Sequence, residues 1–228
     1  MGHTVRYAAW DGARAIAPLL IGVVPFGIVA SVTAVDHGVA RAGVFGFSTV
    51  LYAGASQLAA IEVLGRGASP LVAIGTVAII NLRFLMYAAA LAPHLADVGL
   101  VPRLGAAYVL TDQAFAVSVT AYRDRDLGPR GRLAFYLAGA LVMWLSWQLA
   151  TLVGLVIGSA LPAGLPLDFA LPLVFMVLLI PAITDRATAA AATVGGLVAL
   201  LGAGLPAGTG LLLGAVAGIA TGVLVSAR

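Results

Sequence analysis

A chain of 228 residues that is 62% hydrophobic and only 9% charged is not an ordinary soluble domain. In those, about a quarter of the residues are charged and about half are apolar, and the surface of a fold this size must still face water. The net charge of +3 rests on scattered arginines rather than a basic face, which excludes a nucleic-acid-binding surface; the lack of cysteine excludes disulfides, thiolate metal sites and a cysteine nucleophile.

The composition calls for lipid, and the fold class it predicts is all-α. We expect one transmembrane domain over residues 1–228, a polytopic helix bundle with seven or eight membrane segments, some broken or re-entrant. A crossing needs about 20 mostly apolar residues. The first stretch that qualifies, Ala15–Val35, is longer than the roughly 7–15 residues of a signal-peptide core. Gly22-Val23-Val24-Pro25-Phe26-Gly27 interrupts it. Proline lacks a backbone donor and frees a carbonyl, so the interruption reads either as a kink or as a broken helix that aims its ends at a ligand.

The second stretch, Ala42–Ile61, carries Ala53-Gly54-Ala55-Ser56-Gln57. Its small residues permit close approach, and Ser56 and Gln57 offer donors and acceptors to a neighbouring helix or to a ligand. The third, Ser69–Ala92, holds Asn81 and Arg83 with apolar residues on both sides. An arginine at the centre of a span costs about 2.5–3.5 kcal/mol on insertion scales. It cannot shed its proton, so it needs water or a carboxylate partner. The fourth, Leu104–Tyr122, places Asp112 mid-span, as a fixed counter-ion to Arg83, as a group that titrates during a working cycle, or as both.

Leu133–Leu161 is long enough to tilt or kink, and Phe169–Ile183 is short and carries Pro172 and Pro181. Ala187–Leu205 and Ala207–Val225 are separated only by a proline turn, so one of them could be re-entrant. Gly210, Gly214, Gly218 and Gly222 recur every fourth residue, a spacing suited to close helix packing.

If all eight cross and the N-terminus is cytoplasmic, only Arg41 and Arg103 fall on the far side, the bias of the positive-inside rule. The connection Arg123–Arg132 then separates a polar front half, 1–122, from a back half, 133–228, whose main polar exception is Gln148. The front half is expected to handle substrate and the back half to serve as scaffold and interface. No sequence repeat stands out.

Taken in order, Pro25-Phe26-Gly27, Ala53–Gln57, Asn81-Leu82-Arg83, Leu91-Ala92-Pro93-His94 and Leu110-Thr111-Asp112 resemble the AzlC family, the large subunits of bacterial branched-chain amino acid exporters, also called the LIV-E family. The resemblance implies a secondary transporter in the bacterial inner membrane that exports leucine, isoleucine, valine and methionine. It also implies a small, separately encoded AzlD-like membrane subunit as partner. Gln113 stands where the family often has glutamate, which leaves Asp112 as the candidate for proton coupling.

A zwitterion needs a cation and an anion to meet it. Arg83, with the interrupted helix at Pro25, Phe26 and Gly27, is expected to take a carboxylate. Asp112, Asn81, Gln57 and Ser56 are expected to take an ammonium or to hold Arg83. No cofactor or metal is expected. The chain has no lysine, so it lacks the phosphate-binding G-x-x-x-x-G-K-[ST] loop, and neither a G-x-S-x-G nor an H-E-x-x-H element supports an enzyme. A transporter of another small solute, a non-transporting assembly or sensor subunit, and a homo-oligomer are compatible with the same sequence.

Overall fold

The computed structural model describes residues 5–65, 67–158, 176, 179, 183–204 and 209–227. They form helices, with no strand among the described residues. The chain divides into two compact units, Met1–Leu171 and Pro172–Arg228. The Arg123–Arg132 connection therefore lies inside the first unit.

Among the described residues of the first unit, three helices are long and apolar enough to cross a bilayer: Val5–Asp36, Pro70–Leu95 and Pro129–Gly158. The first is α1 (Val5–Ile16) joined to α2 (Leu20–Asp36) by a tighter 3-10 turn at Ala17–Leu19 that contains Pro18. Then follow α3 (Arg41–Leu51), α4 (Gly54–Gly65), α5 (Pro70–Leu91), α6 (Leu100–Tyr108), α7 (Asp112–Asp124) and α8 (Pro129–Gly158). At 30 residues α8 is about 45 Å long, enough to cross at a tilt.

Glycines set the α1–α2 pairing with α8. Gly12 lies directly on the Phe135 backbone, with no room for a Cβ, and Gly139 faces the Gly12 carbonyl. Further along, Gly27 packs on Trp147 and Ala150, and Gly154 packs on Ile28 and Ser31. Numbers rise together on both helices, so the two run in the same direction.

The second and fourth apolar stretches do not cross. Each is a helical hairpin. α3 leaves the far end of α2, and α4 returns to it: Val44 and Ile61 share one buried cluster with Ala34 and Leu155, and Gly65 lies against the His37 ring. α5 then runs back to the end where α1 and α8 begin, where Leu91 and Leu95 join Ala8 and Phe135 in the main core. From that end α6 rises and α7 returns, with the His94 and Tyr122 rings 5.0 Å apart at the mouth of the hairpin. The four arms hold 11, 12, 9 and 13 residues. At 1.5 Å per residue that is about 13–20 Å each, roughly half or a little more of a hydrocarbon core of about 30 Å. Two hairpins thus enter from opposite ends and turn near mid-depth.

Hairpin geometry also moves Arg103. It sits on α6 at the same end as α1 and the Arg123–Arg132 connection, rather than opposite them. Arg6, Arg14, Arg103, Arg123, Arg125, Arg130 and Arg132 then gather toward one end, and Arg41 begins α3 at the other; Arg66, which eight crossings would put with the first group, lies outside the described residues.

In the second unit, α9 (Arg186–Leu201) and α10 (Thr209–Ser226) pack against each other through small residues. Gly214 meets Gly195 and Ala199, while Gly218 meets Ala191 and Gly195, so the four-residue glycine repeat is the α9-facing stripe. Asp185 caps α9 through a reciprocal box with Thr188. The stretch Phe169–Ile183 lies almost wholly outside the described residues.

Candidate functional site

A helix that stops inside a membrane leaves carbonyls that water cannot satisfy, so each hairpin tip forms only where other helices supply donors. At the end of α3, the Ser48 carbonyl accepts the Tyr52 N–H at 3.2 Å and the Gln148 amide at 3.4 Å. The Thr49 carbonyl accepts the Tyr108 hydroxyl at 2.8 Å. At the end of α6, the Ala106 carbonyl accepts the Tyr136 hydroxyl at 2.7 Å. Helix α8 is the common brace. Its Trp147 donates to Ser48 Oγ at 2.7 Å, Thr151 Oγ1 lies 2.9 Å from the same atom, and Trp144 donates to the Tyr108 hydroxyl at 3.1 Å. Tyr108 therefore ties one tip to the other.

Two predicted site residues meet at the second tip. Thr111 caps α7, accepting the Ala114 N–H at 3.2 Å, which puts Asp112 in the first turn, where the helix dipole favours an anion. Asp112 Oδ1 accepts the Tyr87 hydroxyl at 2.8 Å and lies 3.2 Å from Arg83 Nη1. Arg83 and Tyr87 are one turn apart on α5, so both reach a single carboxylate oxygen. Phe84 lies 5.3 Å from the guanidinium, and Phe115 stacks on Tyr87 at 4.4 Å. Arg83 Nε is buried with no hydrogen-bond partner.

The remaining predicted residues gather elsewhere. Pro25 does not break its helix: α2 continues through it, and Pro25 itself is exposed. A lone freed carbonyl on a helix rim is tolerated, and the breaks fall instead where α8 and Tyr108 serve several carbonyls together. Phe26 is buried, edge-on to Trp147 at 5.5 Å, and Gly27 lies on the same indole. A Cβ on Gly54 would stand 2.7 Å from both the Phe26 and Trp147 rings, so Pro25-Phe26-Gly27 packs on the first tip rather than on Arg83. Ser56, fully buried, donates to the Ala53 carbonyl at 2.9 Å.

Gln57 is 1% exposed, yet neither its amide nitrogen nor its oxygen has a partner. The Asn81 side-chain amide oxygen, Oδ1, and the Tyr52 hydroxyl are likewise buried and unpartnered. Tyr52 forms the turn between α3 and α4 at φ 37° and ψ 49°, the one non-glycine residue with positive φ among those described. Such a conformation costs about 1–3 kcal/mol and persists only where the surroundings impose it. α4 and α5 are packed antiparallel around a short connection, so equal steps from it bring Gly54 and Asn81 to one level.

Sequence reasoning overlooked Tyr52, Tyr87, Tyr108, Trp144 and Trp147. Their signal is chemical: a hydroxyl or indole N–H inside an apolar stretch needs a partner. Tyr52, Ser56 and Gln57 also recur at the same spacing as Tyr108, Asp112 and Gln113. That shift lays α5, α6 and α7 over α1–α2, α3 and α4, a repeat of long helix plus hairpin with the second copy inverted.

A family model described as AzlC protein matches residues 18–161. The chain is 29% identical over 177 residues to the inner membrane protein YgaZ of Escherichia coli (strain K12), covering 73% of this chain and 69% of that one. It is also 29% identical over 194 residues to an uncharacterized membrane protein of Archaeoglobus fulgidus, covering 80% and 79%. No solved structure matches it.

Proposed function

The chain belongs to the AzlC family, and from that membership we propose that it is the large subunit of a secondary transporter exporting branched-chain amino acids. The observation that carries the proposal is the Arg83–Asp112 pair at a helix break, 3.2 Å apart. An isolated charge there would be costly, but a pair can be exchanged against a zwitterion with no change in net charge. The substrate ammonium takes the place of the guanidinium on Asp112, and the released Arg83 meets the carboxylate. Protonation of Asp112 would loosen the same pair, which makes it the coupling residue. Phe84 offers an apolar wall beside Arg83, while Asn81, Gln57, Ser56 and Phe26 are assigned to the part of the substrate path at the first tip. A pocket of this kind separates neighbouring aliphatic side chains by only about 1–3 kcal/mol per methylene, so leucine, isoleucine and valine would share it.

Inverted repeats with broken helices, and sites at the repeat interface, are common in secondary transporters; they support this reading over an assembly or sensor subunit. The reading also calls for a small AzlD-like partner. The Arg83 and Asp112 side chains remain 30% and 37% exposed, on a first unit whose α5 also exposes Ile79, Leu82, Leu85 and Met86. Lipid is a poor neighbour for that pair, and a second membrane subunit over α5 would cover it. The arginine-rich end, with the N-terminus, would face the cytoplasm of a bacterial cell.

Counterflow of labelled leucine, valine and unrelated solutes into vesicles, with and without the small subunit, tests the proposal. Branched-chain substrates should exchange, and Arg83→Gln should abolish exchange in protein that assembles normally. Full-rate exchange by Arg83→Gln would overturn the assignment.

A further inference from the structure

We infer that the first turn of α4, with Tyr52 and Gln57, is the carboxylate-holding half of the site; this rests on the amino-acid reading above. The inverted repeat sets α4 in correspondence with α7. The start of α7 carries Asp112, which answers the partial positive charge of that helix end. The corresponding position on α4 is Ser56, and the first turn of α4 holds no acidic residue. Its leading N–H groups have no partner within the helix. At the two tips, then, one helix end is neutralised by a carboxylate of the protein and the other is left for an anion from outside.

The side chains around that end point to a ligand independently. A helical side chain leans toward the N-terminus of its helix, so Gln57, in the first turn, covers the tip. It is 1% exposed and both of its amide atoms lack partners. Tyr52 leads into the same turn, is 5% exposed, and has a hydroxyl without a partner. We assign to the ligand the amide donor of Gln57 and the backbone N–H groups of Gly54, Ala55 and Ser56, the Gln57 N–H being bonded to the Ala53 carbonyl at 2.8 Å, with the unpartnered Tyr52 hydroxyl as a further donor from the tip. An ionised carboxylate presents about four lone-pair sites, more than the Arg83 guanidinium alone need fill. The left-handed backbone at Tyr52 has a use here: it turns the chain tightly enough to place the hydroxyl-bearing residue at the head of α4.

The test is equilibrium binding to the purified full chain, with its small subunit where the two co-purify. The probes are leucine and leucinamide, which share ammonium and side chain but differ in the carboxylate. A survey of the common amino acids on the wild type comes first. If the wild type binds only amino acids other than leucine, isoleucine, valine and methionine, the substrate proposal fails, and the amino acid bound and its amide become the probes. Binding of none would overturn both readings. Tyr52→Phe and Gln57→Leu should each weaken the carboxylate ligand about tenfold or more, the scale of a lost hydrogen bond to a charged group, and leave the amide within about twofold. Gln57→Glu should reverse the preference toward the amide. Equal losses for both probes, or no loss for either, would overturn the inference. The Gln57→Glu arm keeps it decidable if the apolar variant does not fold.

Discussion

Neutralising Asp112 alone strands a guanidinium whose Nε already lacks a partner. Neutralising Arg83 alone strands a carboxylate that keeps only the Tyr87 hydroxyl and the helix end. Removing one member of a buried ion pair costs about 3–5 kcal/mol, while replacing both by neutral groups is often tolerated. Roughly a third of each side chain is exposed here, so the cost is smaller, but the order should hold. Asp112→Asn and Arg83→Gln should each lower the thermal unfolding temperature in detergent by more than the double variant does. Additive losses would show that the two groups do not depend on each other. Arg83 and Asp112 could be found in the sequence because ionisable groups in apolar stretches stand out. Tyr87 stands out less: its hydroxyl calls for a partner, but the sequence does not say which one.

Among the elements, the two hairpins were hidden for a physical reason. Hydropathy over a window near 20 residues sums both arms, and two half-length apolar arms score like one crossing. Neither Tyr52–Ala53 nor Val109–Leu110 carries the proline that ordinarily marks a break, whereas Pro25 does and its helix continues. The breaks follow from tertiary donors on α8 and α6, which no local pattern encodes. Gly54 is the residue through which the first tip packs. Gly54→Ala would drive a methyl to 2.7 Å from two buried rings, and overpacking of this kind costs about 1–3 kcal/mol. Gly46→Ala, on α3 with nothing within 4 Å, should be neutral or gain helix propensity of up to about 1 kcal/mol. Thermal unfolding of the two variants separates these outcomes, and equal stabilities would contradict the packing of the first tip.

At the level of the whole molecule, the first unit is a long helix and a hairpin, repeated upside down, with α8 bracing both tips. The helical membrane class and the arginine bias followed from composition and from the placement of arginines. The direction of the chain after each tip did not, because loop arginines alone allow either reading: Arg103 fits the far side if the fourth stretch crosses and the near side if it turns back. The chain contains no cysteine, so single cysteines can be placed and read without background. His37→Cys and Gly67→Cys flank the first hairpin, and His94→Cys and Asp126→Cys flank the second. In oriented membranes, a membrane-impermeant thiol reagent should label positions 37 and 67 from one face, and 94 and 126 from the other. Labelling of 37 and 67 from opposite faces would mean that the α3–α4 segment crosses, and would contradict two hairpins whose tips are joined through Tyr108.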